Sequence, residues 1–392
     1  MRDFKLHIGL LPRIIIAIIL GIGAGYLLPD CINRIFITFN AMFSQFLSFC
    51  IPLIIIGFVS TAIGEIGAKA GKMLLYTALI AYTATFLAAT LSYFTGIITF
   101  PYLLSSAAIE HTAVADNSLL PYFVINMPPV LDVMSALVLS FIIGLGIAYF
   151  KAESALRSCF IEFKEIIVKV IRVVIIPLLP LYIFGIFLNM TVSGHVGSIL
   201  ATFIKIIAVI FIIHIVVLLL QFTVASFFSK NSKNPLRLLG TMMPAYFTAL
   251  GTQSSAATIP VTLGQTLRLG VNKDVAGFVV PLCANMHMSG SALKITACAL
   301  ALMMTQGIPY DTPMFFGFIA MLGVTMVASP GVPGGSIMAS LGILSSILGF
   351  TDADNALMIA LYIAMDSFGT ACNVTGDGAL TVIIDRIFSR KD

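Results

Sequence analysis

The chain has 392 residues, of which 59% are hydrophobic and only 10% are charged, and its mean hydropathy is +1.07. Soluble globular chains are about 25% charged, so this composition excludes a cytosolic enzyme, a nucleic-acid-binding protein and a disordered chain. It predicts a polytopic membrane protein, and the formal net charge of +4 is too small to indicate a polyanionic partner.

Eight stretches are apolar enough and long enough to cross a bilayer, since a helical span needs about 20 mostly apolar residues. They cover roughly 11–29, 38–64, 73–99, 131–150, 160–191, 196–228, 276–305 and 355–386. The first stretch is too long for a signal peptide and no small-residue cleavage site follows it. We therefore expect it to belong to the mature protein.

Two further apolar segments, about 234–270 and 312–350, are interrupted by small polar residues at 252–258 and by Pro and Gly at 330–336. If both enter and leave the membrane on one side, and the N-terminus is cytoplasmic, Arg34 is the single loop cation outside. That asymmetry follows the positive-inside rule. The sequence thus predicts an all-α polytopic membrane protein with eight transmembrane helices, two re-entrant helical hairpins and both termini in the cytoplasm.

The two interrupted segments, called the first hairpin (234–270) and the second hairpin (312–350), also bear on function. Non-helical backbone at membrane depth is tolerated where protein buries it or where it lines a cavity. Paired interrupted helices in corresponding halves of a chain indicate a transporter binding site near the midplane. The alternative is that the small residues serve close helix packing.

The last predicted span carries four polar side chains on one face. At about 100° per residue, offsets of 0, 4, 7 and 11 bring them within about 40° of one another; they are Asp366, Thr370, Asn373 and Asp377. A mid-bilayer carboxylate costs about 2.5–3.5 kcal/mol on insertion scales, so both aspartates need cationic partners. These are a bound cation and an ammonium group or, alternatively, a structural ion pair with Lys294 or Arg172. An aspartyl-protease dyad is a remote alternative, because eleven helical residues separate the two carboxyls by roughly 16 Å and they would meet only if the helix broke sharply between them.

The six cysteines show neither CxxC spacing nor neighbouring histidine clusters. We expect packed thiols rather than a disulfide framework or a zinc site. They are Cys31, Cys50, Cys159, Cys283, Cys298 and Cys372.

Three motifs together resemble the dicarboxylate/amino acid:cation symporter family, the glutamate-transporter-like family that includes sodium–serine/threonine symporters. They are Gln-Ser-Ser-Ala-Ala-Thr-Ile-Pro at 253–260, Gly-Val-Pro-Gly-Gly at 331–335 and Asn-Val-Thr-Gly-Asp at 373–377. The resemblance covers essentially the whole chain. It implies a homotrimer in the bacterial inner membrane, with inverted repeats and an elevator mechanism. Residues 1–72 and 100–191 would form a static scaffold, and 73–99 and 192–392 a moving transport domain.

The resemblance also implies a binding site. The tip of the first hairpin and Asn373 would hold the α-carboxylate of an amino acid, Asp366 its ammonium, and the second hairpin would gate the pocket. The implied substrate contacts are Ser254, Ser255, Ser291, Val332, Pro333, Gly334, Asp366, Gly369, Thr370 and Asn373. Hydroxyl and amide donors suit a carboxylate, and an aspartate suits an ammonium. A sodium site would use Asp377 and carbonyl groups of Asn373 and the seventh span, the full set being Asn373, Asp377, Cys283 and His287. No organic cofactor is implied.

Departures from the family pattern bear on specificity. Members that carry acidic substrates have an Arg where this chain has Gly369, so we predict a small neutral substrate such as serine, threonine or alanine. Lys294 leaves four alternatives open: a point charge for an acidic amino acid or dicarboxylate, a tethered cation that stands in for a bound ion, an ion-pair partner of an aspartate, or a side chain that snorkels to the helix end. A passive channel is disfavoured because paired hairpins would occlude the pocket.

The seventh span departs as well. The best register places His287 and Ser289 on the family's sodium-binding Asn and Asp, and a competing register starts at Asn285. On the third span, Ile80 and Ala81 replace the family's Thr and Ser. We therefore expect that second sodium site to be absent. Histidine suits proton exchange near neutral pH, so proton coupling through His287 is the alternative to sodium coupling; a neutral core histidine is another.

Overall fold

The computed structural model describes residues 10–68, 72–104, 119–150, 154–194, 196–229, 234–329 and 333–388. All regular structure in these residues is helical. A π-helical segment, Ile171–Ile175, joins α5 to α6. The α-helices are α1 Leu10–Leu27, α2 Asp30–Ala68, α3 Lys72–Leu104, α4 Val133–Tyr149, α5 Ala155–Val170, α6 Ile176–Val192, α7 Val196–Phe228, α8 Pro235–Thr252, α9 Ser255–Arg268, α10 Lys273–Met286, α11 Ser289–Gln306, α12 Thr312–Ala328, α13 Gly335–Leu348, α14 Asp352–Ala364 and α15 Asp366–Phe388.

Within the described residues, five helical stretches are long and apolar enough to cross a membrane. A sixth is counted if α14 and α15, which meet at an angle of 63°, form one bent span. These six coincide with predicted spans two, three, five, six, seven and eight. The apolar parts of α1 and α4 are shorter than such a span, so the total of eight stays a prediction.

One group of helices consists of α1, α2, α4, α5 and α6, which pack on one another. Small residues allow the close approach of α2 and α4: a Cβ on Gly64 would lie 2.5 Å from Ile147, and one on Gly144 would lie 2.6 Å from Ile63. In a lipid environment such close contact is a main source of helix association. This group is therefore held together by backbone proximity more than by polar contacts.

A second group surrounds α15, which packs against α7, α8, α9, α10 and α11, while α3 lies along α11. Helices α11 and α15 are largely buried, although they carry most of the polar residues singled out from the sequence. Buried polar side chains need hydrogen-bond or charge partners. The partners that they find define the candidate site.

Both predicted hairpins are helix–turn–helix units. In the first hairpin, α8 ends at Gln253, whose φ of 53° is left-handed, and Ser254 caps α9 by accepting a hydrogen bond from the N–H of Ala257. In the second hairpin, α12 packs on α13, which begins after Gly334 with its left-handed φ of 73°. Part of that turn, Val332 included, lies outside the described residues.

The cysteines partly match the expectation of packed thiols. Four are buried and two, Cys31 and Cys159, are exposed, which corrects the expectation for those two. Both exposed residues lie on helices of the first group, α2 and α5. An apolar stretch predicts membrane depth but not which face of the helix meets the surroundings.

Candidate functional site

The polar stripe of α15 faces the protein interior. All four of its side chains are buried: Asp366, Thr370, Asn373 and Asp377. Burial from the surroundings leaves their polar atoms dependent on α7, α11 and the hairpins. The two carboxylates contact different side chains of the α10–α11 unit, Lys294 and His287.

Lys294 on α11 pairs with Asp366. Its side chain has no exposed surface, and its Nζ lies 3.2 Å from Oδ1 of the aspartate. The same ammonium donates to the carbonyl of Tyr362 at 3.3 Å and lies 3.3 Å from the centre of that residue's ring. A lysine has three N–H donors, and a cation over an aromatic face is favourable. Of the two ion-pair partners left open, the structure selects Lys294, since Arg172 is exposed.

Gly369 makes this pairing possible. A Cβ at that position would lie 2.9 Å from the Nζ of Lys294 and 3.1 Å from its Cε. The lysine side chain therefore fills the space in which any larger side chain at 369 would begin. Helices α11 and α15 approach closely here: a Cβ on Gly290 would lie only 2.5 Å from the carbonyl oxygen of Gly369.

Asp366 also holds the second hairpin. Its Oδ2 accepts a hydrogen bond from the backbone N–H of Gly334 at 2.9 Å, while its Oδ1 receives Lys294. Gly334 is the residue just before α13, where a helix N-terminus favours negative charge. One carboxylate thus joins α11 to the hairpin tip.

The tip of the first hairpin contacts the next residue of α15. Gln253 donates from Nε2 to the hydroxyl of Ser367 at 2.9 Å. Ser255 is buried, and Ser254 is half-buried at the start of α9. The structure therefore brings both hairpin tips to the first turn of α15.

The side-chain amide of Asn373 forms hydrogen bonds with the start of α11. Its Oδ1 accepts the N–H groups of Gly290 at 2.7 Å and Ser291 at 3.3 Å, so it caps a helix that lacks a side-chain cap of its own. Its Nδ2 donates to the hydroxyl of Ser291 at 3.1 Å and to the sulfur of Met288 at 3.3 Å. To bind a substrate carboxylate, the Nδ2 group of Asn373 would have to give up one of these two acceptors.

His287 pairs with Asp377. It lies at the break between α10 and α11, and its Nδ1 is 2.9 Å from Oδ1 of the aspartate. Its Nε2 is 2.9 Å from the hydroxyl of Ser289 and 3.2 Å from the amide of Gln221 on α7. Gly376 makes room for the imidazole, because a Cβ there would lie 2.6 Å from its Cε1.

A cation at this place would have to be held by oxygen atoms of the backbone and of single side chains. Among the residues that the structure describes, no group of three or more His, Cys, Asp or Glu side chains is positioned to hold a metal ion. The carbonyl of Cys283 accepts the N–H of His287 at 2.8 Å as α10 ends. Asp377 and such carbonyls suit a hard cation, and His287 competes for the same carboxylate.

Sequence reasoning missed several partners. On α3 the expected pair was Ile80 and Ala81, but the residue that reaches the α10–α11 break is Thr85, whose Oγ1 accepts the N–H of Met288 at 3.3 Å. Ile80 instead lines an apolar groove between α3 and α7. Gln221 and Tyr362 were also missed. The available signal for Gln221 was its place as a polar residue inside an apolar span. The signal for Tyr362 was its position one helical turn before Asp366.

Comparison with known proteins gives one family. The family described as the sodium:dicarboxylate symporter family matches residues 10–387. The serine/threonine transporter SstT of Acinetobacter baumannii is 27% identical over the full length of both chains, and that of Acinetobacter baylyi is 24% identical over 98% of this chain and 99% of its own. Excitatory amino acid transporter 1 of Rattus norvegicus is 29% identical over 65% of this chain and 47% of its own length. The matched region contains all three motifs and both pairs.

Proposed function

Because the chain belongs to the sodium:dicarboxylate symporter family, and so is a multi-pass membrane transporter and not an enzyme, we propose that it imports a small neutral amino acid with sodium. Serine, threonine and alanine are the proposed substrates. The full-length relatives carry the name serine/threonine transporter, which supports this choice. Family membership confirms the resemblance expected from the motifs.

One observation carries the neutral substrate: the Lys294 ammonium lies against Gly369 and is already satisfied. Its contacts are Asp366, the carbonyl of Tyr362 and the ring of Tyr362. A second substrate carboxylate needs a cation that presents free donors to it, as an arginine fork does. Because Asp366 and Tyr362 already satisfy its ammonium, Lys294 is a poor substitute for that arginine. This disfavours an acidic amino acid or a dicarboxylate as the substrate.

The remaining substrate contacts are proposed as follows. Asp366 binds the ammonium of the amino acid, and the tip of the first hairpin at Ser254 and Ser255 binds its carboxylate with Asn373. Thr370 and Ser291 line the pocket between α11 and α15. Pro333 and Gly334 close it from the second hairpin, together with Val332.

The proposed sodium position is at Asp377. Carbonyl oxygens of Asn373 and Cys283 complete an all-oxygen set, which is the type that hard cations prefer. The imidazole of His287 contacts the carboxylate through Oδ1 alone. Sodium is cargo here, bound and released in each cycle.

The proposed mechanism is an elevator in a homotrimer of the bacterial inner membrane. Residues 1–72 and 100–191 form the scaffold, and 73–99 and 192–392 the transport domain. The packing of α1, α2, α4, α5 and α6 on one another supports this division, as does the clustering of polar residues around α15. Both termini are proposed to be cytoplasmic.

Uptake by proteoliposomes tests the proposal. Purified protein should accumulate radiolabelled serine uphill under an inward sodium gradient, and choline should not replace sodium. Excess aspartate or succinate should compete poorly. Uptake driven by a proton gradient without sodium would overturn sodium coupling and would support proton coupling through His287. Strong aspartate uptake that Lys294→Ala abolishes would overturn the neutral substrate, and downhill flux alone would indicate a channel.

A further inference from the structure

Lys294 is an ammonium group placed where the proposed substrate needs to put its own. The side chain is fully enclosed and reaches Asp366 at 3.2 Å beside Gly369. An amino acid that enters the pocket brings a second ammonium for the same carboxylate. Two like charges at one carboxylate repel each other in a low-dielectric setting, so lysine and substrate exclude one another at Asp366.

Asp366 contacts both the ammonium of Lys294 and the backbone of the second hairpin. Oδ1 receives the lysine, and Oδ2 accepts the N–H of Gly334 at the start of α13. A buried carboxylate without a cation is unfavourable and is relieved by contact with water. Oδ2 lies against the backbone of Gly334, so lifting the second hairpin would expose this oxygen to water. The lysine therefore stabilises the closed hairpin whenever no substrate is bound.

We propose that Lys294 is a tethered substitute for the substrate ammonium, which neutralises Asp366 and keeps the second hairpin closed on the empty carrier. The inference rests on the proposed function and deepens it, because it explains how an unloaded carrier crosses the membrane with Asp366 buried. In the loaded carrier the substrate ammonium takes over Asp366, and Lys294 shifts away from the carboxylate on its flexible stem while keeping its contacts with the carbonyl and ring of Tyr362. Affinity for substrate is then reduced by competition with the lysine.

Comparing exchange with net uptake tests the transport part. Exchange of external labelled serine for internal serine uses only loaded carriers, whereas net uptake into serine-free liposomes requires the empty carrier to return. For Lys294→Met we expect net uptake, divided by exchange, to fall about tenfold. The half-saturating serine concentration in exchange should also fall. Lys294→Gln is a second neutral variant in case the first does not fold.

Lys205→Met is the matched control. Lys205 is also a lysine within a predicted span, but it donates to the carbonyl of Leu103 at 2.8 Å and not to a carboxylate. Its substitution should leave the ratio unchanged. An unchanged ratio in Lys294→Met, or an equal loss of exchange and net uptake in a folded protein, would overturn the inference.

A second measurement needs no substrate. Ser336 is buried in the first turn of α13, so a cysteine placed there by Ser336→Cys reports whether the second hairpin is closed. In ligand-free protein, peptide mass spectrometry should show maleimide labelling at position 336 about tenfold faster with Lys294→Met than with Lys205→Met. Equal rates would overturn the proposal. If liposomes that contain the wild-type protein neither exchange nor accumulate serine, threonine or alanine, the proposed function is refuted. The labelling result would still decide the role of Lys294.

Discussion

The two carboxylates of α15 have similar contacts, which reach different parts of the molecule. In each, a nitrogen-bearing side chain from the α10–α11 unit approaches within 3.2 Å of one carboxylate oxygen. Each of these side chains lies beside a glycine of α15, Gly369 for the lysine and Gly376 for the histidine. The second oxygen of Asp366 continues to the second hairpin, whereas the second nitrogen of His287 continues to α7.

That difference separates two tasks. Lys294 and Asp366 form a pair connected to the hairpin that is proposed to close the pocket, so the state of this pair should follow substrate. His287 contacts Asp377 through Nδ1 and contacts Ser289 and Gln221 through Nε2, and neither of these neighbours belongs to a hairpin. Its state should therefore follow the coupling ion. The substitutions below test this division, beginning with the largest expected effect.

Asp366→Asn should have the largest effect. It leaves Lys294 buried without a counter-charge, and breaking a buried pair in this way costs about 3–5 kcal/mol in folded proteins. It also removes the partner of the substrate ammonium. We expect serine uptake to fall at least about 100-fold, with a lowered melting temperature by thermal unfolding in detergent. Uptake and affinity near wild type would remove the basis for the substrate site.

Gly369→Ala should act on the lysine pair alone. The new Cβ would lie 2.9 Å from Nζ, so the flexible end of Lys294 must move away from Asp366. We expect the half-saturating serine concentration to fall about tenfold, equivalent to about 1.4 kcal/mol, and sodium dependence to stay constant. Gly146→Ala is the control, because its Cβ would meet no atom within 4 Å. A parallel shift in sodium dependence would contradict the division.

His287→Asn should act on the other pair. Removing the imidazole frees Oδ1 of Asp377 for a cation, so half-saturating sodium should fall about fivefold, or about 1 kcal/mol. Serine affinity at saturating sodium should stay within about twofold of the wild-type value. Isothermal titration with serine at several sodium concentrations measures both quantities. If serine affinity changes while sodium dependence does not, the two pairs are not separate.

Thr85→Val should have the smallest effect on transport, because it acts on stability. It removes the acceptor for the N–H of Met288 at the α10–α11 break, and an unsatisfied buried group costs about 1–3 kcal/mol. Thr83→Val is the control, since Thr83 is exposed and bonds only the preceding turn of its own helix. We expect a lower melting temperature for Thr85→Val alone. Equal melting temperatures would show that the break does not depend on α3.

Much of the architecture could be predicted because it depends on local patterns. Apolar runs of sufficient length predicted the long helices α2, α3, α7 and the α5–α6 unit, and the interruption at 252–258 predicted the turn at Gln253. The stripe on α15 followed from helical periodicity. Each of these inferences uses residues that are neighbours along the chain.

The partners of that stripe could not be predicted because they depend on packing between distant segments. The sequence left Lys294 and Arg172 as equal candidates for Asp366, and only the packing of α11 on α15 decides between them. On α3, the chosen register differed from the contacting residue, Thr85, by four to five positions. The contact of Gln221 with His287 joins residues 66 positions apart, with no motif to connect them.

The sharp bend between α14 and α15 has a mechanical consequence. Two adjacent residues just after it, Asp366 and Ser367, are the attachment points for the second and first hairpins through Gly334 and Gln253. A rotation at the bend between α14 and α15 therefore moves both attachment points together. Opening one hairpin by itself therefore requires its own link to break, whereas a change in the angle of 63° displaces both tips in concert.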